Sequence, residues 1–268
     1  MTNPTGLSGK AALALVVAAI AVSGCASVRR PMTTAQYMSA EEIAALSPSQ
    51  RQMASYRLET AYLSRPGSVK AGVAWSEYLK AEGRYGEANQ VMREVAARNP
   101  DSGDALLHYA ETQAALGYYP DALRTVRNAE AASPRDWRTF SQEGLILDQM
   151  GKPVEARMRY RQALTLSPKN PEVLSNMAVS YVLTHDLATA ENYLREAIAQ
   201  RDASPEVRVN LALVLALQGK QQEAERVATS GVSAEEAQAN LAALQAATAP
   251  GGAWERYAVG AGGQQTAM

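Results

Sequence analysis

Cysteine occurs once among 268 residues, phenylalanine once and histidine twice. A single thiol excludes an intrachain disulfide framework and any zinc site built from cysteine pairs. The histidines, His108 and His185, stand 77 positions apart, with no second cysteine or clustered carboxylates to complete a metal site. No HExxH helix, phosphate-cradling glycine loop or nucleophile elbow occurs, so a chain with no catalytic residues, no metal and no cofactor is expected. Aromatic residues make up only 6% of the chain, while alanine is abundant. A sheet core draws on aromatic and β-branched side chains, whereas close helix packing suits alanine, and the expected fold class is all-α. Charge is nearly balanced, 26 basic against 27 acidic residues, with no basic stripe. Nucleic acid is therefore not an expected partner.

The apolar run at residues 11–22 has 12 residues, too few to span a bilayer as a helix. Mostly polar residues with Lys10 precede it and Ser23-Gly24-Cys25 follows, which is the layout of a secretory signal. Residues 22–25 resemble a bacterial lipobox. That resemblance implies cleavage before Cys25 and acylation of its sulfur and amine, the alternative being a free or buried thiol. Several acyl chains make an anchor stable at about 0.8 kcal/mol per buried methylene. Loss of residues 1–24 removes Lys10 and leaves 25 basic against 27 acidic residues. Ala26-Ser27-Val28 lacks the aspartate of inner-membrane retention, which implies the outer membrane, facing the periplasm. The expected organisation is a signal peptide at 1–24, a lipid-anchored tether at 25–38, a solenoid with a terminal capping helix at 39–247 and a disordered tail at 248–268.

What fills the rest is a period. Ala54, Ala88, Ala122, Ala156, Ala190 and Ala224 recur every 34 residues, and Pro66, Pro100, Pro134 and Pro168 keep the same spacing. Gly83, Gly117, Gly151 and Gly219 form a third series, five residues before the corresponding alanines. A fixed period of this length signals a solenoid of repeated units. Small residues let paired helices approach, glycine ends a helix in a left-handed cap and proline stops the next one. Where the fourth repeat has His185 in place of glycine, the residue is expected to be a structural cap.

This pattern resembles the tetratricopeptide repeat (TPR), a helix hairpin. The frame implies full repeats at 69–102, 103–136, 137–170, 171–204 and 205–238, after a half-repeat ending at Pro66. Position 20 is always alanine, and position 27 is Ala129, Ala163 and Ala197, but Val95 in the first repeat and Gly231 in the last. Glu143 stands at position 7, where the resemblance implies an apolar residue. A helix is expected from about Pro48 to Ser64, opened by Ser47 and Gln50, and another from Ser233 to about Ala246.

With no catalytic constellation, function falls to a surface. The first helices of TPR hairpins present positions 2, 5, 6, 9, 12 and 13 to partners, which implies a protein-binding groove including Lys70, Glu77, His108, Glu111, Gln142, Asn176 and Asn210. Asn176 and Asn210 share position 6 and could either clamp a ligand backbone or simply follow the repeat consensus. The stretches 174–187 (LSNMAVSYVLTHDL), 188–195 (ATAENYLR) and 207–219 (VRVNLALVLALQG) resemble the tight-adherence (Flp) pilus lipoproteins of the TadD family. That resemblance implies a lipid-held assembly factor for a pilus secretin or associated component. Pilotin-like and barrel-assembly lipoproteins, and adaptors of periplasmic proteases or peptidoglycan hydrolases, are the alternatives.

Overall fold

The computed structural model describes Ile43 and residues 46–249. Cys25, the apolar run, the tether and residues 250–268 of the tail lie outside the described residues. Within them the chain forms helices α1 (Pro48–Ser64), α2 (Val69–Ala81), α3 (Tyr85–Arg98), α4 (Gly103–Ala115), α5 (Tyr119–Ala132), α6 (Trp137–Gln149), α7 (Pro153–Leu166), α8 (Pro171–Val182), α9 (Leu187–Ile198), α10 (Pro205–Leu217), α11 (Gln221–Thr229) and α12 (Ala234–Thr248), with no strand among the described residues. No described helix is long and apolar enough to cross a membrane. The contacts divide the chain at Gly151 into two compact units.

Both helices of every repeat start in one register. α2, α4, α6, α8 and α10 begin at the first position of the 34-residue frame, and α3, α5, α7, α9 and α11 at the seventeenth. The first set follows Ser68, Ser102, Asp136, Asn170 and Ser204, a polar series of the same period. Ser68, Ser102, Asp136 and Asn170 accept hydrogen bonds from backbone N–H groups of the first turn, each cap contributing about 1 kcal/mol. The second set starts where the preceding helix is stopped. Gly83, Gly117, Gly151 and Gly219 have φ of 73°, 79°, 75° and 78°, and His185 has φ of 60°. His185 N–H donates to Val182 O at 3.0 Å and the next N–H, of Asp186, donates to Tyr181 O at 3.0 Å. Gly83 and Arg84 make the same pair of bonds, to Lys80 O at 2.9 Å and Leu79 O at 2.8 Å. His185 is thus a left-handed helix cap, as its place in the glycine series predicts.

In the N-terminal unit, α2 packs on α3, α4 on α5, and each second helix on the next first helix. Ala88 and Ala122 are fully buried at their hairpin crossings. Val95, the departure at position 27, has a partner of complementary size. A Cβ built on Gly72 would come within 2.3 Å of Val95 Cγ2. Position 4, occupied by Gly72 here, is Leu106 in the second repeat and Leu174 in the fourth, each matched with alanine at position 27. The first hairpin therefore exchanges large for small across the same contact. Glu143, the other departure, is almost fully buried on α6, with its Oε1 3.0 Å from Arg127 Nε of α5.

The C-terminal unit has one continuous core running through α8–α12, with Leu174, Leu194, Leu211, Val214, Leu215 and Leu244 among its buried members. α12 opens with a capping box of Ser233 and Glu236. It covers the last hairpin with Leu244 and Ala247, while Asn240 Nδ2 donates to Ala228 O at 2.9 Å. A closing helix is what removes the apolar end of a repeat stack from water. Tyr181 of α8 stacks on Tyr193 of α9 with ring centroids 5.6 Å apart, and the Arg157 guanidinium lies 4.5 Å from the Tyr181 ring centre.

A charged lock joins α9 to the following hairpin. Glu191 Oε1 accepts from Arg195 Nε at 3.0 Å and Glu191 Oε2 from Lys220 Nζ at 2.7 Å, while Arg195 Nη2 also reaches Glu223 Oε1 at 2.8 Å. Burial alone would raise the Glu191 carboxyl, but hydrogen bonds from Lys220, Arg195 and Gln218 outweigh it and hold the group at about 2. A depressed carboxylate contributes stability above its unfolded value, near 4.3, that is lost as pH falls toward 2. Because Arg195 and Lys220 are about half exposed, screening reduces the expected loss to about 1–2 kcal/mol. Denaturant titrations at pH 6 and pH 2.5 should show that loss in the parent and a visibly smaller one in Glu191→Gln.

Candidate functional site

In the N-terminal unit, successive repeats bring side chains of α2, α4 and α6 together. Glu77 and Glu111 occupy position 9 of adjacent repeats, 34 residues apart, and the stacking of hairpins sets them side by side. His108, one turn before Glu111 on α4, has Nδ1 2.9 Å from Glu111 Oε2 and 3.9 Å from Glu77 Oε1. Its Nε2 lies 3.8 Å from Asp104 Oδ1. Lys80 Nζ is 2.7 Å from Glu77 Oε1 and 3.8 Å from Glu111 Oε2. Arg138, at the start of α6, closes the set with Nη1 3.0 Å from Asp104 Oδ1 and Nη2 2.6 Å from Asp136 Oδ2.

Four carboxylates and two permanent cations thus surround one imidazole. Burial would lower the His108 value, but the Glu111 hydrogen bond and the charges of Glu111, Asp104 and Glu77 raise it above its ordinary value. Burial of Glu111 would raise its carboxyl, yet His108, Lys80 and Arg138 bring it below the usual range. Lys80 behaves in the complementary sense: burial disfavours its charge, and Glu77 and Glu111 more than restore it.

The expectation that no carboxylates cluster around a histidine is corrected here. Glu77, His108 and Glu111 each place one ligand-type atom within 4.8 Å of the others. The sequence separates Glu77 from His108 by a whole helix, and only the stacking of repeats unites them. The Lys80 ammonium already supplies positive charge to both glutamates, so the arrangement is complete as an ion-pair network. Asp136 escapes the sequence reading because it lies in the cap before α6, outside the first-helix positions; its signal is an aspartate two residues before Arg138.

The remaining groove residues stand apart from this network. Lys70 is exposed at the start of α2, and Gln142 is half-buried on α6. Position 5 does not face outward: Val73, Leu107 and Ser141 are all buried. In the C-terminal unit Asn176 is half-buried on α8. Asn210 of α10 is only 8% exposed, and its Nδ2 donates to Ser175 Oγ of α8 at 3.1 Å. One of its amide donors thus ties one repeat to the next.

Residues 79–140 and residues 176–234 match family models of the tetratricopeptide repeat. No curated protein gives a significant match. Among solved structures, the thermophilic TPR protein TTC0263 of Thermus thermophilus is 24% identical with a TM-score of 0.57, covering 63% of this chain and 92% of its own. PilW, described as a widely conserved type IV pilus biogenesis factor, is 18% identical with a TM-score of 0.57, over 72% of this chain and 92% of its own. PilF of Pseudomonas aeruginosa is 19% identical with a TM-score of 0.50, over 71% of this chain and 89% of its own. Helix starts in one register, left-handed caps at one frame position and buried alanines at the hairpin crossings agree with these matches: the fold is an all-α solenoid of TPR-type helix hairpins.

Proposed function

We propose that this TPR scaffold serves assembly of a Flp/tight-adherence pilus apparatus, held by lipid on Cys25 at the periplasmic face of the outer membrane, and that its partner is the secretin or a component bound to it. The observation that carries the scaffold reading is the set of charged side chains that α2, α4 and α6 bring together in the N-terminal unit, Glu77, Lys80, Asp104, His108, Glu111 and Arg138. The lipobox-like residues 22–25 support the anchor. The TadD-like stretches support the pilus assignment, and the fold shared with PilW and PilF is consistent with it.

Deleting the gene should reduce assembled secretin and surface pili. A triple variant, Lys70→Glu, Gln142→Ala and Asn176→Ala, should keep its fold and lipid while co-purifying less secretin. With three polar contacts at about 0.5–1.5 kcal/mol each, affinity should drop about tenfold or more. Asn210 is left intact in this variant because of its bond to Ser175. Unchanged piliation in the deletion strain would overturn the pilus assignment, and unchanged affinity of the triple variant would overturn the groove.

A further inference from the structure

We propose that His108 is a proton-operated clasp between the first two full repeats. Protonated, the ring, held on Glu111 of its own helix, ties α4 to α2 by its charge beside Glu77; neutral, it leaves those two carboxylates facing each other with Lys80 as the single cation between them. The geometry carries this. Nδ1 points into the pair formed by Glu111 Oε2 at 2.9 Å and Glu77 Oε1 at 3.9 Å, and Nε2 faces Asp104 Oδ1 at 3.8 Å. A neutral imidazole can give its one N–H to Glu111 at 2.9 Å, whereas the imidazolium also carries positive charge 3.8 Å from Asp104 and 3.9 Å from Glu77.

The charged surroundings are set by the neighbouring elements. α2 supplies Glu77 and Lys80, and α4 itself supplies Asp104 and Glu111. α6 and its cap supply Arg138 and Asp136, bonded to each other at 2.6 Å, with Arg138 also on Asp104. α3 brings Tyr85 near the Lys80 ammonium, and α5 contributes no ion-pair partner to the ring. The cage therefore changes from net −2 to net −1 when His108 takes up its proton. Because the folded ring holds its proton more tightly than an unfolded histidine near 6.5, the stabilisation is fully present below that pH. It is lost as pH rises through the folded value.

The composition makes this testable in the full chain. Only two histidines exist, and His185 belongs to the other unit. The buried Trp75 reports on the N-terminal unit by fluorescence. Its unfolding constant should rise between pH 6 and 8.5, tenfold for each pH unit separating the folded and unfolded titrations of His108. The His108 ring protons in the NMR spectrum of the folded chain should titrate above 6.5. His108→Gln should flatten the pH dependence, and Glu77→Gln, which leaves the ring in place, should shrink it and move the ring titration downward. A parent unfolding constant independent of pH in this range, a ring titrating at or below 6.5, or a Glu77→Gln protein titrating like the parent would each overturn the clasp. Should His108→Gln fail to fold, the parent titration and the Glu77→Gln comparison still decide.

Discussion

Gly72→Leu is expected to cost the N-terminal unit about 3 kcal/mol, and Val95→Ala in the same chain to recover most of it. Even a Cβ at position 72 would meet Val95 Cγ2 at 2.3 Å, and Val95 is fully buried, so the contact has no solvent side into which to relax. Replacing a mid-helix glycine recovers about 1 kcal/mol of helix propensity, which the overlap outweighs. Val95→Ala alone removes buried methyl groups beside a glycine and should cost about 2 kcal/mol. The double variant recreates the leucine–alanine pair that Leu106 makes with Ala129, so the two changes should be strongly non-additive. Four denaturation curves at equal slopes measure the coupling. Additive losses would show that Gly72 and Val95 do not share a contact.

Ala190→Leu should cost the C-terminal unit about 2–3 kcal/mol. Ala190 is shut off from water, at 0% exposure in the core that includes Leu174, Ala178 and Leu194. Three added heavy atoms at that crossing must push α9 off α8 or force rotamers out of their wells. At the exposed start of α11, Gln221→Ala should change stability by no more than about 0.5 kcal/mol. Equal midpoints for the two variants would refute the close crossing.

The periodic features were legible in the sequence because each is a local instruction. A left-handed cap, a proline that stops a helix and an alanine at a crossing each act within a few residues of themselves. Their 34-residue recurrence gives the repeat boundaries at which α2, α4, α6, α8 and α10 start, and it singles out His185 as a cap despite its chemistry. Pairings between helices were not legible. Val95 reads as a defect until Gly72 is set against it, and Glu143 until Arg127 is. The Glu77–His108–Glu111 cage joins residues from two hairpins, and its distances depend on how those hairpins stack. Asn210 reads in the sequence either as a ligand clamp or as a consensus amide, and its contact with Ser175 across repeats is visible only in the structure.

The size exchange at Gly72 and Val95 also bears on how a chain of near-identical hairpins finds its partners while folding. Helices of one register and similar sequence invite wrong docking, a characteristic failure of repeat proteins. If α2 took α5 in place of α3 as its hairpin mate, Gly72 would meet Ala129 and leave a void; if α4 took α3 as its hairpin mate, through the face that holds Gly72, Leu106 would collide with Val95. The first full repeat is thus keyed to itself, its two helices rejecting other hairpin mates by shape.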